Sequence, residues 1–257
     1  MTPEATGALL AQLNSSIPAL DIEVLEMVDS TNAYLWERFR ENRSMPRVAI
    51  AKCQSAGRGQ WGRTWTSVEG GLYLSLLTPL QLDSEYGYSL TIASVWGIAS
   101  LLHQNDIPVQ IKWPNDLLLN GKKLGGIKTE TKVRQGHIAA AVIGVGINFT
   151  NPFPEMGINL ASFWQGDVQI SGDRLAALVI TGILTGIRKL QKTSIQSILP
   201  DYLTLLKNMG ETIIYEGHQG EIIGVNAKGE LLLQISAIGS KSTIRIPPGA
   251  ISLGYES

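Results

Sequence analysis

Asn120-Gly121 stands between two runs, residues 116–119 and 122–129, and no other pair in the chain constrains the fold as strongly. The dipeptide tolerates positive φ at both positions, which a two-residue type I′ turn demands, so its flanking runs pair as an antiparallel hairpin. The reading extends outward from there. Residues 109–113 form an apolar strand halted by Pro114-Asn115, and a turn at 134–136 leads into a strand over 137–148. Strands joined by such short turns cannot be parallel, because a parallel pair needs a crossover of about a dozen residues or more. The fold class predicted is α+β with a mainly antiparallel sheet.

Upstream, a short helix occupies the opening residues to about Ser16, and residues 22–28 alternate as a strand. Asp29-Ser30 supplies cap chemistry for a helix over 31–41, and 47–52 and 72–77 are strands on either side of a glycine-rich stretch, 55–67. Asp83 or Ser84 can cap a long helix reaching about Asn105; it is apolar on most faces and therefore central. Helices are predicted over 173–190 and 195–209, the second closed by Gly210. Beyond it the texture changes. Four short strands (212–215, 221–225, 231–235, 243–246) alternate with glycine-bearing turns at small-barrel spacing. The expected division is residues 1–208 and 209–257.

Composition excludes several classes of function. Lys and Arg number 21 against 22 Asp and Glu, a formal charge of −1, so no broad basic face for a nucleic acid is expected. Cys53 is alone, which rules out an intrachain disulfide. The first residues lack the basic start and apolar core of a signal peptide, and the most apolar stretch, 175–187, is short and glycine-interrupted. A cytoplasmic protein with no membrane partner is expected. His103, His137 and His218 have no metal-ligand spacing and receive no role.

Two clusters carry chemistry. Residues 55–65 pack Gly57, Gly59 and Gly62 with Arg58, Arg63, Trp61 and Trp65. Glycines let backbone N–H groups turn toward one ligand, arginines grip phosphate or carboxylate oxygens, and tryptophans stack on a base or seal a pocket. Alone, such a loop is equally a solvated hairpin. The second cluster is Lys112-Trp113-Pro114-Asn115-Asp116 with Lys123 and Gly126 just beyond the hairpin turn. Two ammoniums and a carboxylate suit a reaction that develops charge on phosphate oxygens, though lysines beside a hairpin also simply snorkel. Ser30-Thr31-Asn32 offers three short polar side chains at a helix start, and Gly144-Val145-Gly146-Ile147-Asn148 a strand that a ligand can approach closely.

Taken in order, Asp29 to Asn32, Gln54 to Gly59 with Gly62 to Trp65, Lys112 to Asp116, Lys123 to Ile127, and Gly144 to Asn148 resemble the biotin–protein ligase family. The resemblance implies a catalytic domain like that of class II aminoacyl-tRNA synthetases and a C-terminal SH3-like barrel. It implies that biotin attacks the α-phosphate of MgATP to give biotinyl-5′-AMP, and that a carrier-protein lysine then displaces AMP. By the family pattern Ser30, Thr31, Asn32, Gln54, Lys123 and Gly126 bind biotin. Gly57, Arg58, Gly59, Gln60, Arg63, Trp65, Lys112, Asn115 and Asn148 hold the nucleotide, with Trp65 closing over the ligand. Lys123, Asp116, Arg58 and Lys112 form the catalytic set, Asp116 orienting the cations, Mg²⁺ or the incoming amine. The metal ligands stay unassigned, Mg²⁺ being held by the ATP phosphates. The implied partner is the biotin carboxyl carrier of acetyl-CoA carboxylase or another biotin-dependent carboxylase; a homodimer is left open.

Two departures qualify the match. Some members carry an N-terminal winged helix that represses transcription, whereas this chain starts almost at the catalytic region, so no DNA binding is expected. Many members read Gly-Arg-Gly-Arg-x-Gly-Arg, and here Gln60 replaces the second arginine. A lipoate or octanoate transferase of related fold is the nearest alternative, but no Arg-Arg-x-Ser-Gly-Gly-Gly-like motif is present. A non-catalytic vitamin-binding module would have no use for Lys112, Asp116 and Lys123.

Overall fold

Residues 1–14, 20–41, 47–237 and 240–254 are described by the computed structural model. A helix α1 (Pro3–Leu13) opens the chain, with the Thr2 hydroxyl accepting the Ala5 N–H and a proline in the first turn. Ser16, expected at its end, lies outside the described residues. Strand β1 (Asp21–Val28) is followed by α2 (Thr31–Glu41) and β2 (Arg47–Gln54), a right-sized crossover that makes β1 and β2 parallel. Every other pairing in the large sheet is antiparallel: β3 (Leu72–Asp83), β4 (Gln110–Lys112), β5 (Asp116–Leu119), β6 (Lys122–Arg134) and β7 (His137–Ile147). The seven described strands lie in the order β1-β2-β3-β7-β6-β5-β4. The Asn120-Gly121 hairpin forms as the sequence requires, with φ of 50° and 73° at its two turn residues.

One face of this sheet carries the main apolar core. Leu72, Leu74 and Leu76 of β3, Ile143, Val145 and Ile147 of β7, and Leu117 and Leu119 of β5 pack against α3 (Gly87–His103) and α5 (Gly172–Lys192). Glycines draw these two helices unusually close: a Cβ at Gly182 would stand 2.7 Å from both N and Cα of Ile98. On the opposite face α2 covers only part of the sheet. Its Leu35 and Phe39 join Ala49, Leu77, Ala140 and Val142 in a separate cluster, leaving the glycine-bearing ends of β6 and β7 open.

The C-terminal strands β8 (Thr212–Tyr215), β9 (His218–Val225), β10 (Leu231–Ala237) and β11 (Ser240–Ile246) form an antiparallel meander, order β11-β10-β9-β8. The apolar core runs without a break across residue 209: Ile222, Val225, Leu231, Leu233 and Ile246 belong to the same cluster as the large sheet's helical face. Polar ties reinforce it. The Trp113 indole donates to Gly229 O (2.9 Å), and Ser89 Oγ donates to Ala227 O (2.9 Å).

Three expectations need correction. Asp83 does not cap the long helix; its carboxylate pairs with His137 at 2.8 Å, and a 3-10 turn (Ser84–Tyr86) precedes α3, which ends at His103. The predicted 195–209 helix is split into a 3-10 turn (Ile195–Ser197) and α6 (Leu199–Leu205), because Pro200 can only sit in a first turn. Leu206 then turns extended and pairs beside Ile111, so Gly210 (φ +77°) closes no helix and donates its N–H to Ile222 O instead. A one-turn helix, α4 (Leu160–Phe163), capped by Asn159, was not anticipated. β3 and β6 also run several residues beyond their predicted ends.

The helix crossing yields a stability prediction. Gly182→Ala puts a methyl against the backbone of Ile98, which no rotamer change can relieve. It is expected to lower unfolding free energy by about 1–3 kcal/mol, read as a reduced urea midpoint at unchanged slope.

Candidate active site

Residues directly opposite one another on neighbouring strands share a face, and this rule assembles the site. Asp116 pairs with Lys112 on one side and Gly126 on the other; Gly126 pairs with Gly146, and Lys128 with Gly144. Lys123 alone would miss this face, since strict alternation from Gly126 points it to the other side. A β-bulge corrects the phase. The register shifts between Leu117 and Leu118, so that Lys123 stands opposite Leu118 and rejoins Asp116. Lys123 Nζ reaches Asp116 Oδ1 at 2.9 Å, and a Cβ at Gly126 would come within 3.0 Å of that same oxygen.

The open part of the face is the floor of a cavity of about 340 Å³. At one end the start of α2 and the end of β2 supply neutral polar groups. The Thr31 N–H donates to Gln54 Oε1 (2.9 Å), Gln54 Nε2 donates to Ser67 Oγ (2.8 Å), and Ser75 Oγ donates to Asn32 Oδ1 (2.6 Å). These bonds fix the orientation of the Asn32 amide and leave its Nδ2, though buried, without a partner among the described residues. Trp65 Nε1 is in the same state. Two buried, unsatisfied donors in one cavity wall indicate a ligand that accepts from them, because an unmade bond there costs about 1–3 kcal/mol.

The other end is cationic. Among the described residues, Arg58, Arg63, Lys112, Lys123 and Lys128 line the cavity against one lining carboxylate, Asp116, and Lys128 is also paired with Glu130 at 3.5 Å. That is five positive groups to one negative, in a chain whose formal charge is −1. Arg58 and Arg63 project from a small hairpin in which Arg58 bridges Thr64 and the Gly59 N–H donates to Arg63 O (2.7 Å). A 3-10 turn (Gln60–Gly62) forms its tip, with Trp61 left-handed at φ 51°. Lys128 Nζ anchors this hairpin to β6 by donating to Gly59 O (2.9 Å). Lys112 is buried at 4% exposure, and desolvation lowers its pKa to about 8; Lys123 and Arg63 push it the same way, while Asp116 opposes them.

Most residues singled out in the sequence converge here: Ser30, Thr31, Asn32, Gln54, Arg58, Gly59, Gln60, Arg63, Trp65, Lys112, Asn115, Asp116, Lys123 and Gly126 all line the cavity. Two do not. Gly57 lies inside the hairpin, where a Cβ would be 2.6 Å from Ser67 Oγ, so its role is to let the loop close. Asn148 turns away from the cavity, donating to Ile158 O (3.2 Å) and accepting from Asn151 Nδ2 (3.1 Å). Asn115 lines the wall but donates its amide to Ile127 O (2.7 Å), which Gln60 Nε2 also approaches at 3.4 Å. Sequence reasoning missed Lys128 and the segment 249–253. Strand alternation from Gly126 could have found Lys128; nothing local marks the segment, which reaches the cavity only through the tertiary fold.

The buried ammonium has a measurable cost. Its folded-state pKa is about 8 against an ordinary 10.5, so below about pH 8 the ligand-free protein carries the whole penalty, roughly 3 kcal/mol. Between those values the unfolded chain binds the extra proton, so stability rises with pH. Lys112→Met is therefore expected to be more stable than the natural chain near neutral pH. Denaturant titrations at increasing pH should show that gap closing above about pH 8.

A family model described as "Biotin/lipoate A/B protein ligase family" matches residues 24–148. The bifunctional ligase/repressor BirA of Escherichia coli is 31% identical over 248 residues, covering 92% of this chain and 76% of that protein. The human biotin–protein ligase is 27% identical over 228 residues, 82% of this chain but 31% of its own length. Among solved structures, the Aquifex aeolicus biotin protein ligase in complex with biotin and ATP superposes with a TM-score of 0.69 at 26% identity, covering 92% of this chain and 99% of that one. By these matches the chain belongs to the biotin–protein ligases of the biotin/lipoate A/B protein ligase family.

Proposed function

We propose that this protein joins biotin to ATP as biotinyl-5′-AMP and transfers the biotinyl group to a lysine of a biotin carboxyl carrier protein. The observation that carries the reading is that one cavity is lined both by neutral hydrogen-bonding groups and by a set of cations that includes the Lys123–Asp116 pair. A ureido ring needs both donors and acceptors, which Ser30, Thr31, Asn32, Gln54 and the free Asn32 and Trp65 N–H groups offer. A triphosphate needs cations, which Arg58, Arg63, Lys112, Lys123 and Lys128 supply.

In the first step a biotin carboxylate oxygen attacks the α-phosphorus and pyrophosphate leaves. Negative charge gathers on the phosphoryl oxygens, and Lys123, in the cavity wall, offsets it. In the second step a carrier ε-amine attacks the biotinyl carbonyl, AMP departs and the amine loses a proton, for which Asp116 is a carboxylate in the cavity wall. Asp116 is engaged with Lys123, and no cluster of three or more His, Cys, Asp or Glu is present among the described residues. The donor set therefore does not make a protein cage for Mg²⁺; the ion would travel with the ATP phosphates. No helix among the described residues is long and apolar enough to cross a membrane, and the reading places the reaction in the cytoplasm.

Pyrophosphate–ATP exchange tests the reading. Exchange that requires biotin supports it; exchange with lipoate instead, or none with biotin, refutes it and favours a lipoate transferase or a binding module. Lys123→Ala is expected to lower exchange by roughly 10²–10³-fold, about 2.7–4 kcal/mol of lost charge stabilisation, with unchanged circular dichroism. Gln60 brings no charge to the phosphate. Charge-assisted bonds contribute about 1.5–3 kcal/mol against about 1 for neutral ones, so Gln60→Arg should slow release of biotinyl-AMP about tenfold in single-turnover mixtures without carrier.

A further inference from the structure

Trp61 is an unusual residue for the tip of a phosphate-binding hairpin. It is bulky, 48% exposed, and held left-handed at φ 51°, a conformation costing a non-glycine residue about 1–2 kcal/mol. Something must offset that cost. Two of the hairpin's ties, from Lys128 to Gly59 and from Gln60 to Ile127, run to β6. Trp61 reaches elsewhere. A Cβ at Gly249 would lie 2.5 Å from its Nε1, 2.7 Å from Cε2 and 3.1 Å from Cζ2, so the indole edge rests on the Gly249 backbone itself. Gly249 has φ +93°, where an L side chain is strained whatever the space.

The segment that Trp61 meets is anchored. After β11, Pro247-Pro248-Gly249 turns the chain back, with the Ala250 N–H donating to Pro247 O (3.1 Å), and Leu253 buries its side chain in the main core. Residues 249–253 and Trp61 both line the cavity that Arg58 and Arg63 enter.

We infer that Trp61 is a positioning residue, a latch that pins the arginine-bearing hairpin to the C-terminal segment 249–253 and so holds both walls of the cavity over the nucleotide end. Gly249 is the seat of that latch. The inference rests on the ligase reading for what the cavity retains, but the contact itself is independent of it. Hairpin and segment are 188 positions apart, so neither wall fixes the other through the chain.

Two measurements test it on Trp61→Ala, Trp61→Phe, Gly249→Ala and the Trp61→Ala/Gly249→Ala double variant. In ligand-free protein, trypsin cleavage after Arg58 and Arg63 should accelerate about tenfold in either alanine variant. The double variant should be cleaved no faster than the faster single one, because both remove the same contact. Trp61→Phe, which keeps a ring on Gly249, should stay near the natural rate. With ATP and biotin, release of biotinyl-AMP should quicken by a similar factor while the affinity for biotin alone changes less than about twofold. Additive acceleration, unchanged cleavage, or equal losses of biotin affinity and adenylate retention would overturn the latch. If the natural protein shows no biotin-dependent exchange, the ligase reading fails, and the cleavage series still decides whether the latch exists.

Discussion

Five cations held around one carboxylate in a half-enclosed cavity repel one another, and the fold has to hold them there. Lys112 shows the strain most directly: desolvation and its like-charged neighbours outweigh the attraction of Asp116 and depress its pKa to about 8. The structure tolerates this because Lys112, Asp116, Lys123 and Lys128 stand on strands, leaving Arg58 and Arg63 on the hairpin between β2 and β3. Lys112, Asp116 and Lys123 occupy successive strands of one rigid hairpin pair whose opposite face is packed into the main core through Ile111, Leu117 and Leu119. An anion entering the cavity relieves the repulsion, so affinity for a polyphosphate and instability of the empty site have one origin.

The floor of the site follows from the same economy of sheet faces. One face of the large sheet is packed into the main core with α3 and α5, while on the other α2 covers only the part where β3 and β7 present Leu77, Ala140 and Val142. Further along β7 and on the neighbouring β6, the residues on this face are Gly144, Gly146 and Gly126. A side chain at Gly146 would collide with the Trp65 indole, 2.5 Å from its Cε2, so the absence of a Cβ admits the tryptophan that walls the cavity. Core and site thus share one face of β7, along which side-chain size falls from Ala140 and Val142 to Gly144 and Gly146.

Closure over the cavity comes from distant parts of the chain. The hairpin carrying Arg58 and Arg63 arises between β2 and β3, whereas the opposing wall at residues 249–253 arrives after β11. The small C-terminal sheet shares the main apolar cluster, and Trp113 is tied to it at Gly229. That sheet therefore acts as a fixed mount for part of the active site as well as a packing partner.

Local chemistry was legible wherever one short stretch decides it. Asn120-Gly121 specified a hairpin because it suits a type I′ turn, and the motifs from Asp29 to Asn148 pointed to anion-handling chemistry through their clustered glycines and cations, with biotin entering only through their resemblance to a family. What the sequence could not determine was set by contacts between residues far apart. Asp83 met His137 and so left the helix uncapped; Pro200 and the pairing of Leu206 beside Ile111 broke a helix that periodicity alone would continue. Asn148, part of a recognisable motif, was drawn away by Ile158 and Asn151, and Lys123 joined Asp116 only through a bulge that no composition signals. Periodicity along a chain reports which face a residue prefers; which residues meet across faces depends on register and packing, and those are fixed only when the whole sheet closes on its helices.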